Sequence, residues 1–322
     1  MFDYRFFYIF AVVLTVVAAF GVAGAGMAMA GDDYVWTSSQ GDPHNWKNDL
    51  NWAGPEGYWP GETSVDDTAT IPWLGSGDYP DLAESVEIAK LSLLYIENSG
   101  GGKLTVDGIA AVLTINGRDG LALQQQTVLT IGDDGGRIAF KQGGDLVLDG
   151  HIRSLYTGGE EDEANIEFAG TTVTSGCGYI IGLGRVYLLR TPTDRDALLI
   201  LGPDNGLYGT LDIQVALVNR GVVDATNPED EDEPHALRLY CEPKLGPGDW
   251  RVTGGGTGTS MMIIETPVVG SGNLLVGPNS ILRVFGHVSL YGTLTAGPDS
   301  HVTIGKGLMF DVDRFELSGC PD

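Results

Sequence analysis

Gly272-Asn273-Leu274-Leu275-Val276-Gly277-Pro278-Asn279-Ser280-Ile281-Leu282-Arg283-Val284 is followed, twenty residues on, by Gly292-Thr293-Leu294-Thr295-Ala296-Gly297-Pro298-Asp299-Ser300-His301-Val302-Thr303-Ile304. Gly, Gly-Pro and Ser recur at the same places, and the apolar pairs keep their positions. Within one period these pairs fall at Leu274/Val276, Leu282/Val284 and Val288/Leu290, and Leu294/Ala296 restarts the cycle. Alternation at period 2 between Gly, Pro and Asn turns marks short strands. Three strands in every twenty residues form one coil that cannot bury its apolar pairs alone, so it stacks on the coils above and below it. Gly and Asn serve at the corners, where a positive φ is needed.

Outward from this stretch the same texture holds. Val86-Glu87-Ile88, Leu104-Thr105-Val106, Leu113-Thr114-Ile115, Leu129-Thr130-Ile131, Ile138-Ala139-Phe140 and Leu146-Val147-Leu148 read as further strands, with unequal intervals between coils. No capped helical stripe appears after Ser85. The expectation is an all-β chain, a single-stranded right-handed parallel β-helix (β-solenoid) over 84–313 with a tail at 314–322. An antiparallel β-sandwich is the alternative, since short strands at this spacing suit it too, but a sandwich has no need of a 20-residue repeat.

Composition agrees. The chain has 322 residues, 43% of them apolar, and 48 Gly without a Gly-x-y period, which excludes collagen and disorder. With 18 Lys+Arg against 43 Asp+Glu, the net charge of −25 repels a phosphate backbone, and nucleic-acid binding is excluded. At the N-terminus an uncharged apolar run from Phe6 to about Phe20 leads to Ala28-Met29-Ala30 and then polar Gly31-Asp32-Asp33. This pattern predicts a signal peptide over 1–30, cleaved after Ala30, and a secreted or cell-surface chain with no membrane span after cleavage.

Five of the six Trp lie in the next segment, 31–83, at Trp36, Trp46, Trp52, Trp59 and Trp73. It is expected to form an irregular cap that shields the first coil from water and edge pairing. The order Trp36, Asn45-Trp46, Asn51-Trp52, Pro60-Gly61 and Asp66-Asp67-Thr68-Ala69-Thr70-Ile71-Pro72 resembles the opening of bacterial secreted β-solenoid proteins, the adhesin-like and autotransporter-passenger-like group. The resemblance covers about forty residues by motif and implies a solenoid at the cell surface. An autotransporter also needs an outer-membrane barrel, and no barrel, dockerin-like calcium repeat or sorting helix follows Ile304 in this sequence. Exposed Trp faces beside Asn and Asp would stack on sugar rings, making the same five Trp candidate ligand-binding residues.

Catalytic motifs are absent from the sequence, including His-Glu-x-x-His, Gly-x-Ser-x-Gly, the phosphate-binding loop and Cys-x-x-Cys. The one set resembling solenoid lyases and hydrolases is Asp145, Asp149, His151 and Arg153, whose shared parity would put acids, a base and a substrate-binding cation on one face, unless the Asp149-Gly150 corner breaks it. The acidic runs 160–163 and 228–234 read as solvated loops. They lack the Asp-x-Asp-x-Asp-Gly calcium spacing, so no metal or other cofactor is assigned and calcium has no motif. Cys177, Cys241 and Cys320 are too few for a disulfide framework and read as small buried residues or one surface bridge. The function expected is a structural or interaction protein, adhesin-like and non-catalytic, whose partner is an extracellular glycan or cell-surface protein. The alternative is a carbohydrate-binding or polysaccharide-active solenoid.

Overall fold

A computed structural model describes residues 31–317 except 39–41, 76–77, 98, 155–163, 227–235, 254–258 and 307. The expected signal peptide at 1–30, the acidic runs 160–163 and 228–234, and Cys320 therefore lie outside the described residues. The chain folds as a β-solenoid of about nine turns. Apart from a one-turn 3₁₀ segment at Asp49–Asn51, every described element is a strand. All strand pairings are parallel except two short antiparallel ones, between Asp33–Trp36 and Trp52–Ala53 and between Tyr95–Ile96 and Gly100–Gly101. That pattern excludes a sandwich.

Three faces follow in chain order. The first stacks Val86–Ile88, Val112–Ile115, Gly136–Phe140 and Ala164–Phe168 on through Ile281–Val284 to His301–Ile304. The second begins with Asp33–Trp36 on Thr68–Ile71 and Lys90–Leu93. The third begins with Asp81–Leu82 on Lys103–Val106 and continues through Val128–Ile131 and His151–Ser154. Parallel stacking thus already includes 68–71 and 81–82, ahead of residue 84, and runs through Phe310–Leu317, past residue 313.

The twenty-residue repeat is realised as register. Leu274 sits on Leu294, Leu275 on Thr295 and Leu282 on Val302. Earlier coils keep the inward columns while the corners change length, so Ile138 sits on Ile166 and Ile166 on Leu188. Inward Leu, Ile and Val are fully buried along the length, the apolar burial that drives the stack. Asn279 and Asp299, equivalent turn residues of the repeat, both take positive φ (55° and 58°). Where one strand bends across a corner, Gly209 has φ +89° and a Cβ there would lie 2.0 Å from the Gly182 carbonyl oxygen, so no larger residue fits.

Polar residues interrupt the second-face interior. Lys244 occupies an inward position between Leu217 and Val268 and is wholly buried. Its ammonium donates to the carbonyls of Val215 (3.0 Å), Tyr240 (3.2 Å) and Glu242, tying a corner to the coil above. Burial pushes its pKa down to about 7, against the opposing pull of the charges of Cys241 and Glu242. Asn205 works alike at another corner, its amide reaching the carbonyls of Leu148, Ser175 and Gly178.

The two ends differ. At the N-terminal end, Trp36 and Trp46 are buried and Trp52 nearly so. At the other end, Ile304, Phe315 and Leu317 sit 43%, 56% and 60% exposed, because no further described coil covers their inward columns.

Candidate functional site

The Trp-rich segment is built inward. Trp52 is the hub of edge-to-face contacts, with ring centroids 4.9 Å from Trp36, 4.7 Å from Trp46 and 6.4 Å from Tyr34. Each indole N–H is used: Trp36 donates to the Asp78 carbonyl, Trp46 to Pro60 and Trp52 to Trp46. The companion residues of the motif serve the same end. Asn51 donates to the carbonyls of Asp42 and Asn45, and the buried Asp67 carboxylate accepts from the backbone N–H groups of Asp32 and Gly61. Trp36, Trp46 and Trp52 therefore offer no free face to a sugar, which corrects their assignment as ligand-binding residues. Trp59 and Trp73 are half-buried against the core. The Lys47 ammonium lies 5.3 Å over Trp59, and Trp73 packs so closely on Gly100 that a Cβ there would lie 2.6 Å from its indole nitrogen. An open cleft of about 300 Å³ is lined by Asp42, His44, Asn45, the buried Trp46, Lys47 and Glu84, among others, with Lys47 and Glu84 paired across it.

Asp145, Asp149, His151 and Arg153 do not converge. Asp145 lies on the second face within Gly144–Leu148, whereas His151 and Arg153 lie on the third. Asp149 sits at the corner between them, its carboxylate accepting from the Cys177 backbone N–H (3.2 Å). His151 is packed flat on Tyr179, with centroids 3.7 Å apart and planes 17° from parallel. Burial lowers its pKa and keeps the ring neutral. The corner thus divides the set, and no acid–base pair forms.

What the third face does bring together was not singled out in the sequence. Two outward columns run along it. One passes from His151 through Tyr179, Gly206 and Val222 to Asp249. The other passes from Arg153 through Ile181, Tyr208, Asp224, Arg251, Leu275 and Thr295 to Glu316. The Tyr208 ring leans across Gly206, where a Cβ would come within 2.0 Å of it, and meets Tyr179 edge to face at 5.5 Å and 77°. Since Tyr179 stacks on His151, this perpendicular ring lies over Gly206 rather than in the stack, and it is half-buried. Burial, and next the Asp224 carboxylate, raise the Tyr208 phenol's pKa, so it stays a neutral donor and acceptor.

Beyond Tyr208 the columns turn polar. Asp224 accepts from the Thr253 backbone and hydroxyl, and Arg251 donates to Asp249 at 3.0 Å. Asp249 also accepts from the Asn273 backbone and amide; although burial opposes it, these bonds hold its pKa below the usual carboxylate range. Next to them an open groove of about 290 Å³ is lined by Asp249, Arg251, Asn273, Leu275, Thr295 and Glu316, among others. Trp250 fills the core behind it. From Tyr208 to Thr295 this makes an aromatic-to-polar stripe roughly 20 Å long at about 4.8 Å per rung. Aligning coils by outward position would have found it, since Tyr179 and Tyr208 stand alone in the chain but adjacent in the stack.

Cys177 and Cys241 are free and exposed rather than buried or bridged. Among the described residues no cluster of His, Cys, Asp and Glu has metal-binding geometry, and no helix is long and apolar enough to cross a membrane. No protein-family model, curated protein or solved structure matches the chain.

Proposed function

We propose that the protein is an exported interaction protein of the cell surface, a rigid solenoid that presents its third face to an extracellular partner. The observation that carries this reading is the continuous stripe from Tyr179 and Tyr208 through Arg251 and Asn273 to Thr295. It combines rings, paired charges and amides on a surface that repeated backbone pairing holds rigid. Export is supported by the leader pattern at 1–30. Burial of the Trp cluster moves the expected recognition surface from the N-terminal segment to this face. The adhesin-like role is presentation and binding, without turnover.

The experiment is a screen of the purified protein against immobilised glycans, polysaccharides and envelope proteins, with release of reducing or unsaturated ends read in the same wells, and fractionation of producing cells alongside. Binding without product release, by protein found outside the cytoplasm, is the expected outcome. Product release would replace this reading with a polysaccharide-active enzyme. Retention in the cytoplasm would overturn the surface role.

A further inference from the structure

We infer that the third face binds a neutral, extended polysaccharide lying parallel to the solenoid axis, with one sugar ring stacked on Tyr208 and its neighbours hydrogen-bonded along Arg251, Asn273 and Thr295. The inference rests on the reading of this face as the recognition surface and names the ligand it takes.

Three features select that class. The first is the ring. Tyr208 is laid over Gly206, and a flat apolar disc beside hydroxyl and amide groups matches the C–H face and hydroxyl rim of a pyranose. Neighbouring coils keep a side chain at the Gly206 position, Tyr179 on one side and Val222 on the other, so the glycine makes the bed for the ring. The second is direction. The groups that follow Tyr208 lie on successive rungs, one per coil, so a ligand that meets them all is long and runs across the strands.

The third is charge. Arg251 is paired with Asp249, and Arg314 with Glu316 at 2.7 Å. Asp224 adds a carboxylate beside Tyr208. The chain as a whole carries −25. Between Tyr208 and Glu316 a uronate or sulfated polymer meets paired cations and a chain of net negative charge, whereas a neutral one loses nothing by approaching. The paired Arg and Asp then serve as oriented donors and acceptors for hydroxyls.

The test is affinity electrophoresis of the purified protein in native gels containing neutral polysaccharides (mixed-linkage glucan, mannan, arabinoxylan) or polyanionic ones (polygalacturonate, alginate). Tyr208→Ala, Gly206→Ala and Tyr291→Ala are run beside the parent. Tyr291 is 68% exposed at a corner and serves as the control. Retardation by a neutral polymer is expected, weakened roughly tenfold by Tyr208→Ala, reduced by Gly206→Ala, which lifts the ring, and unchanged by Tyr291→Ala. Retardation by polyanions alone that still depends on Tyr208 would overturn the ligand class and leave the face as the site. Retardation indifferent to Tyr208 and Gly206 would overturn the face itself, and the absence of retardation by any polymer would overturn the inference.

Discussion

Two of the aromatic clusters among the described residues do opposite work. Around Trp52 the rings meet edge to face inside the first coils, every indole N–H is satisfied by a carbonyl, and little ring surface reaches water. Around Tyr179 the rings are outside, half-buried, with His151 below and Arg251 and Asp224 beyond. The first is dense in sequence and lies inside the first coils. The second is assembled from residues one coil apart and lies on a flat side. In a solenoid, therefore, crowding of aromatics along the chain marks where the stack begins, while recurrence at one outward position marks a surface.

The sharpest way to break this comparison is Trp52→Ala. Removing the hub leaves a cavity and three unpartnered ring edges, and a loss of about 4 kcal/mol of stability is expected by chemical denaturation. Tyr208→Ala should cost less than about 1 kcal/mol, since a half-exposed ring on a sheet surface leaves no cavity. Equal losses in the two variants would show that the clusters do not divide the work as described.

Lys244 carries the contrast into the interior. Lys244→Ala is expected to lose about 3 kcal/mol, through the cavity and the carbonyls left without a donor. Its titration adds a pH signature. Because burial holds its folded pKa at about 7, below the ordinary lysine value of 10.5, the unfolded chain binds the additional proton between those values. Stability contributed by this site is therefore lowest below about pH 7 and rises as pH climbs toward 10.5. Thermal midpoints at pH 7 and pH 9 should differ in the parent, and Lys244→Met should flatten that difference. A slope unchanged in Lys244→Met would assign it to other groups.

Asp67→Asn tests the Trp-rich end more gently. The carboxylate accepts from the backbones of Asp32 and Gly61, and an amide keeps only one oxygen for the two. A loss of about 1–2 kcal/mol is expected, with increased proteolysis ahead of Thr68 as the readout. Cleavage unchanged there would mean that the Trp contacts alone hold the segment.

The coil architecture was legible because its cause is periodic. Leu274, Leu282 and Val288 repeat because each must meet its counterpart on the next coil, and the pairing of Leu274 with Leu294 follows directly. The Trp motif located the ring density, but not that Trp36, Trp46 and Trp52 are buried, since sequence does not show which side of a ring is covered. Tyr208 was hidden for the opposite reason. Its neighbours Tyr179, Asp224 and Arg251 stand at unequal distances along the chain, because corners of different lengths intervene, and only register brings them together. Lys244 was hidden by its type. A lysine at an inward position is found only when corner carbonyls are there to receive it, and those come from the coil above as well as from its own corner.

The smallest effect expected concerns His151, at the edge between packing and surface. Its ring is stacked on Tyr179, and burial lowers its pKa below 6.5. A base whose folded value lies below its unfolded value leaves the unfolded chain holding the extra proton as pH falls through 6.5. The stability it contributes is thus complete above about pH 6.5 and declines on acidification from there. His151→Phe keeps the stack and removes the titration. The parent should lose slightly more thermal midpoint than this variant between pH 7 and pH 5.5, while the two agree above pH 7. Because Tyr179 also edges the Tyr208 ring, polysaccharide retardation in the parent should fall over the same pH interval and hold steady in His151→Phe. A parallel fall in both proteins would detach the histidine from the platform and leave Tyr208 and Gly206 as its only support.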